Sequence, residues 1–190
     1  MSRVRTITKN EVPLDLQEIY SKFSDGYSSF RNQIGVLAHI PSALNHIPSL
    51  LLELREKQNT PFRYIELAII TVSKINECKY CVGHHKPLLV VEGLSSAGID
   101  SILDYKNHSE LTEIDKLIVE YSIEVTNAPQ KIKDTLFNGL KKHFTESQIV
   151  ELTLRICLCG FFNRFNDGQI VWLHILYDPS STDFLSSVAN

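Results

Sequence analysis

The sequence predicts an all-α fold, and three features carry that reading. Apolar residues recur at helical spacing in segment after segment, as in Leu16, Ile19, Tyr20 and Phe23, or Ile114, Leu117, Ile118, Tyr121 and Val125. Helix-starting signals precede such segments: Thr60-Pro61, Thr112, and Thr145 with Gln148 in the pattern of a capping box. The run Ile65 to Ile75 is rich in β-branched residues and could pass for a buried strand, yet Thr60-Pro61 opens it and no partner strand is evident elsewhere.

Taken in order, residues 1–13 read as an N-terminal arm, followed by a helix carrying Leu16 to Phe23 and a second turn set through Phe30, Ile34 and Leu37. That set ends near His39, because Pro41 biases the residue before it away from helix. Ser42 to Lys57 reads as a helix broken or bent at Pro48. His39 and His46, single histidines beside apolar runs, read as packed or surface residues rather than ligands. Thr60 is the expected cap of the next helix, with Pro61 in its first position. Gly93 is a helix stop, and Leu94 to Asp100 a turn rich in Ser and Gly. A short helix over Ile102 to Tyr105, one from Thr112 to Asn127, and one over Ile132 to His143 follow. The last begins at Thr145 and runs apolar to about Tyr177.

One domain accounts for 190 residues, a length that buries about two-thirds of the unfolded surface without a disulfide or metal. Hydrophobic residues at 43% and charged residues at 22% argue against disorder. A net charge of −3 offers neither a basic stripe for nucleic acid nor a polybasic patch for anionic lipid. No apolar run is long enough to span a bilayer, and the first residues lack a secretory apolar core, so a cytoplasmic location is expected. Helices whose apolar residues exceed one stripe, notably Ile65 to Ile75 and Ile149 to Phe165, predict a homo-oligomer.

Chemistry concentrates in Glu66 to His85, where two thiols, two imidazoles and a carboxylate lie close together. On one helix Cys78, Cys81 and His85 fall within an arc of roughly 60°, whereas His84 is turned about 100° from His85 and is the second candidate. Glu66 on the same unbroken helix would sit about 18 Å from Cys78, so a break is required, and Asn76 can cap a new helix after it. Folding back there brings Glu66 beside His85. A Cys-x-x-Cys pair in a reducing compartment points to redox use. A zinc module using Cys78, Cys81, His84 and His85 would crowd one ion, since such sites draw a second ligand pair from a separate segment. A cap at Asn76 favours Cys78 as the more acidic thiol by dipole, while His85 favours Cys81.

The spacing Glu66-x11-Cys78-x2-Cys81-x3-His85, with Val36 to Leu44 and Glu92 to Ser95, resembles the alkylhydroperoxidase D branch of the carboxymuconolactone decarboxylase superfamily over roughly residues 30 to 175. The resemblance implies an alkylhydroperoxidase D-like helical bundle, commonly oligomeric, acting without bound cofactor or metal. It implies a hydroperoxide substrate and a thiol or dithiol electron donor. It implies that Cys81 is peroxidatic and Cys78 resolving, with His85 as base and Glu66 orienting it. Disulfide reduction is the alternative activity, and a non-catalytic scaffold the alternative class. Tyr80 stands where relatives carry a histidine of the proton relay.

Two further features of the last helix bear on the site. Aligning Glu151-Leu152 on Glu66-Leu67 suggests a pseudo-repeat of the helix-break-helix core, with Asn163 opposite Cys78, Asn166 opposite Cys81 and Ile170 opposite His85. Asn163, Arg164, Asn166 and Asp167 form a polar cluster that either holds a buried network or lines the site. Cys157 and Cys159, at i and i+2, read as small core residues.

Overall fold

The structure, a computed structural model, describes residues 3–27 and 30–169, and among these every regular element is helical. The chain divides into two compact units, residues 1–56 with 169–190, and residues 57–168.

In the first unit α1 (Gln17–Gly26), α2 (Arg31–Leu37) and α3 (Pro41–Glu56) bury Phe23, Ile34, Leu37 and Leu44. The expected arm is tied down. The Ile7 N–H donates to the Gly35 carbonyl at 2.8 Å and the Tyr20 hydroxyl donates to the Ile7 carbonyl at 2.8 Å. The arm packs closely on Gly35, where a Cβ would meet the Ile7 oxygen at 3.1 Å. His39 bonds the Arg5 carbonyl through Nε2, and both His39 and His46 are surface residues. The α3 helix runs through Pro48 without the interruption expected there.

The second unit is organised around α4 (Phe62–Ile75), which buries Ile65 to Ala68 and Ile70 to Ser73. A helix apolar nearly all round belongs inside its domain, which explains why β-branched residues outnumber polar ones in it. It packs against α5 (Lys79–Val91) and α7 (Glu113–Asn127). The core around it takes in Leu89, Ile99, Ile102, Ile118, Leu140, Leu152 and Ile156. Pro61, not Thr60, holds the cap position of α4. Thr60 is diverted because its hydroxyl and N–H both donate to the buried Glu151 carboxylate, at 2.9 and 2.8 Å.

Gly93 ends α5 with φ +96°, and the Gly93 and Leu94 N–H groups donate back to the Val90 and Leu89 carbonyls. That reversal matches the left-handed glycine stop. The Ser and Gly stretch after it is not only a turn: Ser95 caps a short helix, α6 (Ser96–Asp100), accepting from the Gly98 N–H. A 3₁₀ segment covers Ile102–Asn107, and α8 covers Asp134–Lys141.

The Thr112 cap of α7 forms as expected, reciprocally with Asp115. Asp115 is fully buried and takes a two-pronged ion pair from Arg63, at 3.0 and 2.8 Å. Burial alone would raise its pKa, but Arg63 and Thr112 outweigh burial and hold the carboxyl below its ordinary value. A lowered folded pKa contributes stability above the unfolded value near 3.9, lost as pH falls through the folded value. Asp115→Asn at pH 7 is expected to cost about 2 kcal/mol, since it removes the charged partner of the half-buried Arg63 guanidinium. In a thermal melt the midpoint should drop by several degrees, and the variant should lose less stability than the parent on acidification below pH 4. An unchanged midpoint would show that the pair contributes nothing.

The last helix, α9 (Glu146–Gln169), opens with the expected Thr145 and Gln148 capping box. It corrects the pseudo-repeat. Where α4 and α5 are separated at Asn76 to Cys78, the matching residues Phe161 to Asn163 lie inside one continuous helix. The run from Ile170 to Tyr177 lies outside the described residues. The two remaining cysteines also separate: Cys159 is buried as expected, but Cys157 is exposed. It shares the outward face of α9 with Val150, Leu154 and Phe161.

Candidate active site

The break that the motif demands is a three-residue reversal. Asn76 ends α4, Glu77 takes φ +56°, and the Glu77 and Cys78 N–H groups donate to the Lys74 and Ser73 carbonyls. This is the same reversal as at Gly93, made here with a side chain in the left-handed region, a conformation that costs on the order of 1 kcal/mol. Cys78 rather than Asn76 then caps α5, with extended dihedrals and its Sγ accepting from the Cys81 N–H at 3.4 Å. Asn76 is occupied elsewhere, its Nδ2 donating to Asn163 Oδ1 at 2.9 Å.

Being the cap, Cys78 precedes the helical face instead of lying on it, and its thiol reaches Cys81 by turning back over the first turn. The two sulfurs stand 3.1 Å apart, both free and both buried. The Cys78 S–H donates to Cys81 Sγ. That bond first, and burial second, hold Cys78 well above the ordinary thiol range. As cap, Cys78 accepts from the helix terminus yet stays a thiol at neutral pH.

Glu66 lies in the second turn of α4, 2% exposed, and folding back at Asn76 to Cys78 brings it to His85 on α5. Its Oε2 accepts from His85 Nδ1 at 2.8 Å. A buried carboxylate is costly unless paired, and this contact supplies the pair. With Nδ1 engaged by the carboxylate, proton exchange falls to Nε2. His85 follows Cys81 at i, i+4 on α5, a spacing that sets side chains on one face.

His84 is a different kind of residue. It packs edge-on against the buried Tyr80 ring at 4.4 Å, and burial first and the neighbouring His85 second push it down to about 4. At neutral pH it is an uncharged, weak base. Tyr80, where an imidazole would extend a relay, serves as its packing partner. Among the described residues no cluster of three His, Cys, Asp or Glu side chains could hold a metal ion, and no helix is long and apolar enough to cross a membrane.

The polar cluster of α9 divides by face. Arg164 and Asp167 are exposed, while Asn163 and Asn166 are buried. Asn163 accepts from Asn76 and donates to Ser73 Oγ at 3.2 Å, so it clamps the reversal before Cys78. Asn166 Nδ2 donates to Cys81 Sγ at 3.4 Å. Ser73 and Cys159 complete the set at 3.3 Å, and burial pushes the Cys159 thiol up to about 12, which makes it inert. Sequence reasoning does not single out Asn166 as a partner of Cys81, although its place opposite that cysteine in the alignment is a signal.

No protein-family model matches the chain. A search of solved structures finds the peroxidase-related protein of Ralstonia eutropha JMP134, described as an alkylhydroperoxidase AhpD core, with a TM-score of 0.78 over 98% of this chain and 96% of that one, at 19% identity. The chain has an alkylhydroperoxidase D-like fold. The debrominase Bmp8, solved with 2,3,4-tribromopyrrole, shares this fold at a TM-score of 0.74 over 97% and 95% of the two chains, with 14% identity. In sequence the chain is 28% identical over 102 residues to the uncharacterized protein YdfG of Bacillus subtilis, covering 53% of this chain and 69% of YdfG. The same fold is thus found in an uncharacterized peroxidase-related protein and in a debrominase.

Proposed function

We propose that the chain is a thiol peroxidase that reduces hydroperoxides through Cys81 and Cys78. The observation that carries this reading is the pair of free sulfurs 3.1 Å apart beside a helix whose His85 is held by Glu66. Cys81 as thiolate attacks the distal peroxide oxygen. The O–O bond breaks, Cys81 becomes a sulfenic acid, and the departing alkoxide takes a proton from the imidazolium of His85. The Cys78 thiol, losing its proton to His85, then attacks the Cys81 sulfur; the S–O bond breaks, the departing hydroxide takes that proton back from His85 and leaves as water, and a Cys78–Cys81 disulfide remains. An external dithiol restores both thiols by exchange, oxidising itself to a disulfide. No resident cofactor takes part in this sequence.

The likeness to a debrominase favours one second reading, in which the same thiolate takes the halogen of an electron-rich ring as a sulfenyl halide while the ring carbon takes a proton in its place, and Cys78 then attacks the Cys81 sulfur, forms the disulfide and releases halide. Both readings end on the same disulfide and differ in what is consumed.

Stoichiometric hydroperoxide added to reduced protein, followed by peptide mass mapping, is expected to find Cys78 joined to Cys81 with Cys157 and Cys159 still free. Continued peroxide loss should then require added dithiol. Recovery of Cys78 and Cys81 as free thiols while a control dithiol oxidises would sink the peroxidase reading; bromide release from a brominated pyrrole without peroxide consumption would install the second.

A further inference from the structure

Asn166 is a buried amide inside an apolar helix, 1% exposed, and burying an amide is costly unless its hydrogen bonds are met. Its Nδ2 donates to Cys81 Sγ at 3.4 Å. Sulfur in a neutral thiol is a weak acceptor. A buried donor placed there gains most when the sulfur is charged, because charge-assisted hydrogen bonds are roughly twice as strong as neutral ones.

A second donor converges on the same atom, since the Cys78 S–H also points to Cys81 Sγ. No such convergence is found on Cys78, whose sulfur accepts only a backbone N–H among these contacts. The asymmetry selects Cys81 as the sulfur prepared for negative charge.

Two features fix the donor in place. Asn163, one turn earlier on α9, uses its oxygen on Asn76 and its nitrogen on Ser73, which locks the register of α9 against the reversal that sets up Cys78. The Cys78 N–H bonds the Ser73 carbonyl at 2.9 Å, so the same residue anchors both the clamp and the motif. Asn163 and Asn166 thus act from one helical face, the first on the backbone that presents the thiols and the second on the reacting sulfur itself.

We infer that Asn166 is a catalytic residue of this site, a preorganised hydrogen-bond donor that stabilises the Cys81 thiolate before it attacks. The inference rests on Cys81 being the attacking thiol, but it concerns the charge on that sulfur and not the identity of the substrate. It adds to the Glu66 and His85 pair a contribution from α9, which sequence separates from the motif by most of the unit.

The test is the pH dependence of iodoacetamide alkylation, read at Cys81 by peptide mass in the reduced full chain, with the exposed Cys157 on the same helix as internal reference. Asn166→Leu removes the donor at similar volume, and Asn166→Asp keeps the shape while placing a carboxylate beside the sulfur. Near pH 7, Cys81 alkylation is expected to slow about tenfold in the Leu variant and further in the Asp variant, with Cys157 unchanged. If the side chain at position 166 did not bear on the charge of the sulfur, the introduced carboxylate would leave alkylation at the parental rate, and that result overturns the inference. Parental rates in the Leu variant overturn it equally. Thermal melts show whether each variant is folded, and if Asn166→Leu prevents folding, Asn166→Ala supplies the neutral donor-free measurement, with slowed alkylation at Cys81 supporting the inference and a parental rate overturning it. No peroxide is present, so failure to consume hydroperoxide would count against the peroxidase reading and leave this result standing.

Discussion

Cys81→Ser is expected to reduce hydroperoxide consumption by at least about a thousandfold, because in the proposed reaction it removes the atom that bonds to the peroxide oxygen. Cys78→Ser should behave differently. Its Cys81 remains able to attack once, so a single stoichiometric burst of peroxide loss is expected, after which the protein stalls as a sulfenic acid that dimedone traps at Cys81. Turnover with dithiol should fall strongly, since the intramolecular attack across 3.1 Å is replaced by a bimolecular one. Dimedone adducts at Cys78 in a Cys81→Ser background, with the burst preserved, would reverse the two roles. The protonated state of Cys78, fixed by its bond to Cys81 and by burial, is the physical reason for expecting Cys81 to attack and Cys78 to resolve.

Glu66→Gln and His85→Gln are expected to lower peroxide turnover by about a hundredfold each, and to move the pH profile of Cys81 alkylation to higher pH. The two changes act through one group, so the double variant should be little worse than either single one. His85→Gln removes the proton acceptor; Glu66→Gln removes the charged partner 2.8 Å from Nδ1 that fixes which nitrogen exchanges protons. His84→Gln should leave both readouts close to the parent, because an imidazole pushed down to about 4 and packed against Tyr80 neither carries charge nor takes protons well at pH 7. A shifted profile in His84→Gln alone would move the base to that residue. Additive losses in the double variant would separate Glu66 from His85.

Much of the site is legible in the sequence because it is local. Cys78, Cys81 and His85 fall in one short segment, and the thermodynamic cost of an unpaired carboxylate in the apolar run around Glu66 already requires a partner across a break. The break is legible too, but its residue roles are not. Asn76 has the side chain of a cap and Cys78 is an unusual one; the role falls to Cys78 because Asn76 closes α4 and α5 begins only at Lys79. Thr60 loses its cap in the same way, to Glu151.

What the sequence determined by itself is what nearest neighbours settle: helical periodicity, the Thr112 and Thr145 boxes, the stop at Gly93, and the pairing of two thiols one turn apart, all governed by contacts within a few residues. Tertiary structure decided the rest. Whether Phe161 to Asn163 breaks or continues a helix, whether Cys157 or Cys159 is buried, and whether Asn166 meets water or the sulfur of Cys81 depend on which face of α9 packs inward against the α4 and α5 reversal. That orientation follows from the summed burial of Ile149, Leu152, Ile156 and Cys159 against residues remote in the chain. Hydrophobic burial is additive over a whole face and indifferent to sequence distance, so no short window of residues can show it.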